Sequence, residues 1–164
     1  MNDGPPPARA RATAPATASS TASTFAPSTS IAGTRWAAAQ REALAPYDLT
    51  HTQFVLLASL LWLRRGRDEP VTQRELADFA GTDVMMTSQV LRTLESKGYV
   101  ERRPHPEDGR ARELVVTTAG AELANRAVQV VERVDEEFFT GAGAALPGLL
   151  AGLQHLAARP EDKR

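Results

Sequence analysis

The 164-residue sequence has no cysteine, which excludes disulfides, thiolate metal sites, thiol nucleophiles and thiol-based redox sensing within the chain. Its three histidines, His51, His105 and His155, are far apart and form no ligand-spacing motif, so no metal site is expected. No run approaches the ~20 apolar residues of a membrane span. No window shows the Leu- or Val-rich core of a secretory signal, and a transit peptide is the nearest alternative for the Ser-, Thr-, Ala- and Arg-containing N-terminus. A Gly-rich phosphate loop, a nucleophile beside a base and a carboxylate pair at motif spacing are also lacking, so neither enzyme activity nor a cofactor is expected. The formal net charge is -1, so the molecule is no polycation, and binding to nucleic acid would need a local patch. The expected setting is the cytoplasm, with no membrane partner.

Residues 1–34 are mostly Ala, Thr, Ser and Pro with almost no large apolar side chains. Such a segment buries too little surface to offset its ordering entropy, and it is expected to be a disordered tail. One domain is expected over 35–164. Trp36 to Ala45 reads as an Ala-rich helix stopped before Pro46. Thr50 and Gln53 form a capping-box pair opening a second helix with Phe54, Leu57, Ala58, Leu61 and Trp62 at helical spacing. Thr72 and Glu75 make a second such pair for a short helix whose Leu76 and Phe79 are expected inward and whose Gly81 closes it. A further helix follows at once, with Val84, Thr87, Val90, Leu91 and Leu94 as its apolar stripe and Gly98 as its end, a helix-turn-helix arrangement.

The stretch 98–117, GYVERRPHPEDGRARELVVT, reads as a two-stranded hairpin turned at Asp108-Gly109. Thr117 or Thr118 then caps a long helix carrying Leu123, Ala127, Val130, Val131, Val134 and Phe138. A last amphipathic segment carries Leu146, Leu149, Leu150, Leu153 and Leu156. The fold class is mainly α with a small β-hairpin wing: a winged helix-turn-helix domain at about 51–117, flanked by dimerisation helices at about 35–46 and 118–158.

Turning a hairpin requires none of Arg102, Arg103, Arg110 and Arg112, and these need another explanation. Once the apolar stripe is set aside, the preceding helix leaves Met86, Ser88, Gln89, Arg92 and Thr93. These side chains suit base edges and phosphates: Gln pairs with adenine, Arg with guanine, and Met touches the thymine methyl. Thr87, although on the stripe, is counted with the DNA contacts as well. An arginine on a wing tip can enter the minor groove, and Arg110 is placed there. Asp108 is expected to pair with an arginine and stabilise the wing, with Arg102, Arg103 and Arg112 tracking phosphates. Thr72, Gln73 and Arg74 open the short helix, where exposed amides and a partial positive charge favour a phosphate. From Arg92 to Arg112 six basic residues stand against four acidic ones, a modest local excess.

The segments LTHTQFVLLASL, VTQRELA, TDVMMTSQVLRTLESKGYVER and PEDGRARELVVTTAG together resemble the MarR (multiple antibiotic resistance regulator) family of winged helix-turn-helix transcription factors. The resemblance runs from about Trp36 to the C-terminus. It implies a homodimer whose first and last helices intertwine and whose two winged domains read a pseudo-palindromic operator in double-stranded DNA, as a repressor released by a small aromatic or phenolic effector and nucleoid-associated when bound. By that similarity Ser88, Gln89 and Arg92 match base-contacting positions, Arg110 the minor-groove arginine and Asp108 its acidic partner. Trp36, Tyr47, His51 and Trp62 are the candidate ligand-binding residues. The N-terminal tail is not a family feature, the absence of cysteine excludes a thiol switch, and Pro147 is expected to kink the last helix. The alternative is a dimeric protein-interaction module of the same fold without DNA binding.

Overall fold

A computed structural model describes residues 20–67, 69–108 and 110–157, with side chains described within 28–156. Contacts divide the chain into two units, Met1–Thr34 and Arg35–Arg164. Helix α1 is Ser20–Leu44 and ends in a 3₁₀ turn, Ala45–Tyr47. It is followed by α2 (His51–Leu63), β1 (Val71–Thr72), α3 (Gln73–Ala80), α4 (Val84–Ser96), β2 (Val100–Pro104), β3 (Arg112–Val116) and α5 (Thr118–Thr140). A 3₁₀ turn at Gly143–Ala145 then leads into α6 (Leu146–Ala157).

Helix α1 starts well before Trp36, within the segment expected to be a disordered tail; residues 1–19 of that tail lie outside the described residues. Side chains from Ser28 to Thr34 are exposed. Ala and small polar residues accept helical geometry even where large apolar residues are lacking. At the other end, Pro147 sits in the first turn of α6. The missing N–H is tolerated there, and the expected kink gives way to a helix start.

Helix α2 is the centre of the winged domain and touches α3, α4, α5 and β3. Its Leu56, Leu57 and Leu60 are fully buried together with Leu76, Leu91, Leu94, Val71, Val100 and Leu114. Each such side chain stabilises the fold by ~1.5–3 kcal/mol. The Thr50/Gln53 capping box is complete, with bonds of 3.2 and 2.9 Å. The second box is only half made. Thr72 accepts the Glu75 N–H, but the Glu75 carboxylate binds Arg67 at 2.6 Å. That hydrogen bond holds the Arg67 guanidinium above its already high ordinary value, with Glu69 contributing further.

The sheet has three strands in the order β1-β3-β2, all antiparallel, with Val71 opposite Leu114 and Arg102 opposite Leu114 on the other side. The expected hairpin is thus joined by β1, whose two residues are too few to show alternation in the sequence. Three side chains assigned inward are exposed instead: Phe79, Val84 and Trp62. Phe79 and Trp62 stack on each other with ring centroids 5.1 Å apart.

The close of the wing onto α5 explains the Thr-Thr-Ala-Gly run. Thr117 caps α5 through the Gly120 N–H at 3.0 Å and donates its hydroxyl to the Gly98 carbonyl at 2.8 Å. Its own N–H reaches the Tyr99 carbonyl at 3.1 Å. Gly120 lies directly against that same Tyr99 carbonyl, with no room for a Cβ.

Candidate nucleic-acid interface

Helix α4 is launched by Asp83, whose Oδ1 accepts the N–H groups of Met85 and Met86 at 2.9 and 3.0 Å. Its face away from Leu91 and Leu94 presents Met85, Met86, Gln89, Arg92 and Thr93 as exposed side chains, with Ser88 half-buried. Thr87 does not belong with them. It is fully buried, donates its hydroxyl to the Asp83 carbonyl and shares a 2.8 Å hydrogen bond with Thr82. Its role is to tie the turn to the helix, and its assignment as a DNA contact is corrected on that ground.

The arginines fall into two groups. Arg102 faces α4, where its Nη2 donates to the Ser88 carbonyl at 3.3 Å and its Nε lies 3.6 Å from Glu95. It is a strut between the wing and the polar helix, in place of the phosphate contact expected of it. Arg103 is turned onto Glu101, with both Nε and Nη2 bonded to one carboxylate oxygen. Within the described part of 72–112, Arg74, Arg92, Arg110 and Arg112 are exposed and have no carboxylate partner. Among the described residues, Arg35, Arg41, Arg65, Arg126 and Arg133 are likewise exposed without an ion pair to a carboxylate, but lie outside α3, α4 and the wing.

The wing tip is organised by two residues. Asp108 Oδ1 accepts the backbone N–H of Arg110 at 2.9 Å, in place of the arginine side chain expected to pair with it. His105 Nδ1 accepts the N–H groups of Glu107 and Asp108, both at 3.2 Å. The His105 role was not legible, because it depends on a loop conformation that spacing does not specify. Gly109, half of the expected turn, lies outside the described residues. Between the start of α3, the start of α4 and the strands lies a cleft of ≈ 310 Å³ lined by Thr72, Gln73, Arg74, Val84, Arg102 and Arg112, among others. Gln73 spans it, donating to the Val84 carbonyl at 3.3 Å. The starts of α3 and α4 and the strand residues Arg102 and Arg112 thus border one cleft of the winged domain.

The four aromatic candidates do not form one site. Trp36 and His51 meet edge to face at 6.2 Å, and Phe139 lies 5.9 Å from Trp36. The Trp36 indole and the buried Gln40 amide both donate to Asp135 Oδ1 at 2.7 Å. Gln40 Oε1 is buried without a hydrogen-bond partner among the described residues. Tyr47 packs against the core, and Trp62 stands apart with Phe79. Gln40 and Asp135 were missed because they lie inside helices whose facing partner is remote in sequence.

A family model for the MarR family matches residues 49–111. The uncharacterized HTH-type transcriptional regulator YdcH of Bacillus subtilis (strain 168) is 43% identical over 136 residues, which is 79% of this chain and 91% of YdcH. The chain belongs to the MarR family. Solved MarR-family structures share its fold. A MarR variant from Escherichia coli complexed with operator DNA superposes with a TM-score of 0.70 at 26% identity, covering 83% of this chain and 94% of that one. CouR from Rhodococcus jostii RHA1, bound to p-coumaroyl-CoA, gives 0.64 at 25% identity, covering 80% and 90%. This MarR-family chain is accordingly a DNA-binding transcriptional regulator. No helix among its described residues is long and apolar enough to cross a membrane.

Proposed function

We propose that the chain acts as a homodimeric repressor that reads a pseudo-palindromic operator and is released by a small aromatic or phenolic ligand. In this reading α4 enters the major groove, with Gln89 and Arg92 at base edges and Met86 against a thymine methyl. Arg110 enters the minor groove, and Arg74 and Arg112 meet phosphates. The observation that carries it is that α3, α4 and the wing each present an exposed arginine free of carboxylates, namely Arg74, Arg92, Arg110 and Arg112, while Arg102 and Arg103 of the same wing are tied to Glu95 and Glu101. The E. coli relative complexed with operator DNA supports the docking.

The dimer rests on α6, whose Leu149, Leu150, Leu153 and Leu156 are exposed at helical spacing, Leu156 by 81%. A row of this kind is stabilised when a second copy covers it. A ~10 base-pair spacing between half-sites follows for two recognition helices in successive major grooves. The effector site is best placed at Trp36, His51 and Phe139, where the orphaned Gln40 carbonyl would accept a phenolic hydroxyl. CouR with p-coumaroyl-CoA is a structural relative in complex with an aromatic ligand.

The experiment is selection of bound duplexes from a random pool, followed by titration of phenolic acids against the selected complex. Gln89→Ala is expected to relax base preference at one position per half-site by ~1–3 kcal/mol and to leave the other positions as they were. An unchanged selected motif for that variant would remove Gln89 from the reading surface.

A further inference from the structure

The chain holds three methionines. Met1 lies outside the described residues, and the other two are adjacent at the start of α4, where Met85 is 71% and Met86 40% exposed. Large apolar side chains are normally withdrawn from water, and methionine sulfur is open to oxidation in proportion to its accessibility. The chain offers no thiol to intercept an oxidant first. Both thioethers therefore stand unprotected on the helix assigned to the major groove.

We propose that Met85 and Met86 form an oxidation site through which hypohalous acids lower DNA binding, an inference that rests on the DNA-reading role of α4. The step is a two-electron oxidation of each thioether to the sulfoxide. An S–O bond forms as the O–Cl bond of hypochlorous acid breaks; sulfur is oxidised, chlorine is reduced to chloride, and one proton is released.

The product is a polar side chain where an apolar one was. In the groove it loses its contact with a thymine methyl and brings an acceptor oxygen toward the acceptors of the bases and the phosphates. The amides of Met85, Met86 and Thr87 are already taken and cannot satisfy that oxygen. The Met85 and Met86 N–H groups are bonded to Asp83 Oδ1, and the Thr87 N–H to the Asp83 carbonyl at 2.8 Å. Desolvating the sulfoxide against DNA thus leaves an acceptor unpaired, twice per protomer.

The test compares, for each protein, affinity for the selected duplex before and after a few equivalents of hypochlorous acid. The oxidised product is identified by the added oxygen on the peptide holding Met85 and Met86. The parent is expected to lose about tenfold or more in affinity. Methionine sulfoxide reductases of both epimer specificities, with dithiothreitol, should restore it. The double variant Met85→Leu, Met86→Leu should show a ratio near one, whatever its starting affinity.

A parent that keeps its affinity with both thioethers oxidised would overturn the proposal. So would equal losses in parent and double variant, or a loss that the reductases do not reverse, which would point to tryptophan or lysine damage. If the double variant binds no duplex, the reductase arm decides alone. If the unoxidised parent binds none, the DNA reading itself fails, and the two failures stay distinct.

Discussion

Replacing Arg110 with alanine is expected to weaken duplex binding by ~10- to 100-fold across sequences and to flatten its dependence on salt. Arg110 is exposed and its backbone is fixed by Asp108, so the side chain is presented by a preformed tip and loses little entropy on docking. In a dimer the substitution removes two cations, and the slope of log affinity against log salt should fall by about 2. Arg103→Ala is the internal comparison. That side chain is already neutralised by Glu101 at 2.7 Å, and its loss should change affinity little. Equal salt slopes for the Arg110 variant and the parent, measured by fluorescence anisotropy, would place the wing outside the interface.

The second large effect concerns the seam between wing and α5. Gly120→Val is expected to destabilise the fold by about 3 kcal/mol or more, because an added Cβ would meet the Tyr99 carbonyl. Neither side of that contact can yield cheaply. The Tyr99 carbonyl accepts the Thr117 N–H, and Gly120 is held by the Thr117 cap. Relief would require α5 to move off the strands, breaking the hydrogen bonds that close the wing. Gly33→Ala is the control, since nothing lies within 4 Å of its added Cβ; helix propensity favours the alanine by up to ~1 kcal/mol. Denaturant midpoints at one fixed protein concentration would check both, because the stability of the proposed dimer would depend on concentration. A Gly120→Val midpoint equal to that of the parent would show that the seam adapts.

The architecture was legible wherever local chemistry repeats. Thr50 with Gln53 marks the start of α2, Gly81 and Gly98 end α3 and α4, and Leu91 with Leu94 marks the buried stripe. Residues at the edges of a stripe were not. Val84 and Phe79 satisfy the same periodicity as the buried Thr87, yet both are exposed. The neighbouring elements decide such borders, and periodicity records only an angle.

The candidate site was legible as a set of residue types but not as a set of contacts. Arg102, Arg103 and Arg110 look alike in sequence, and only folding brings Glu95 and the Ser88 carbonyl to Arg102 while leaving Arg110 without a carboxylate. The same holds for Arg64 with Glu113 and Lys97 with Asp48, pairs 49 residues apart. Lys97 closes α4 onto Asp48, whose backbone is left-handed at φ 51°. That conformation is costly outside glycine and rests on surrounding contacts.

The central claim is that α4 reads sequence in duplex DNA while the free arginines beside it supply the electrostatic hold. The most direct measurement is the affinity of the purified protein for its selected duplex and for a shuffled duplex of the same length, each across a salt series. The account predicts ~10³-fold or tighter binding to the selected duplex at physiological salt, with both affinities falling steeply as salt rises. Indistinguishable affinities for the two duplexes, or binding that salt does not weaken, would contradict it.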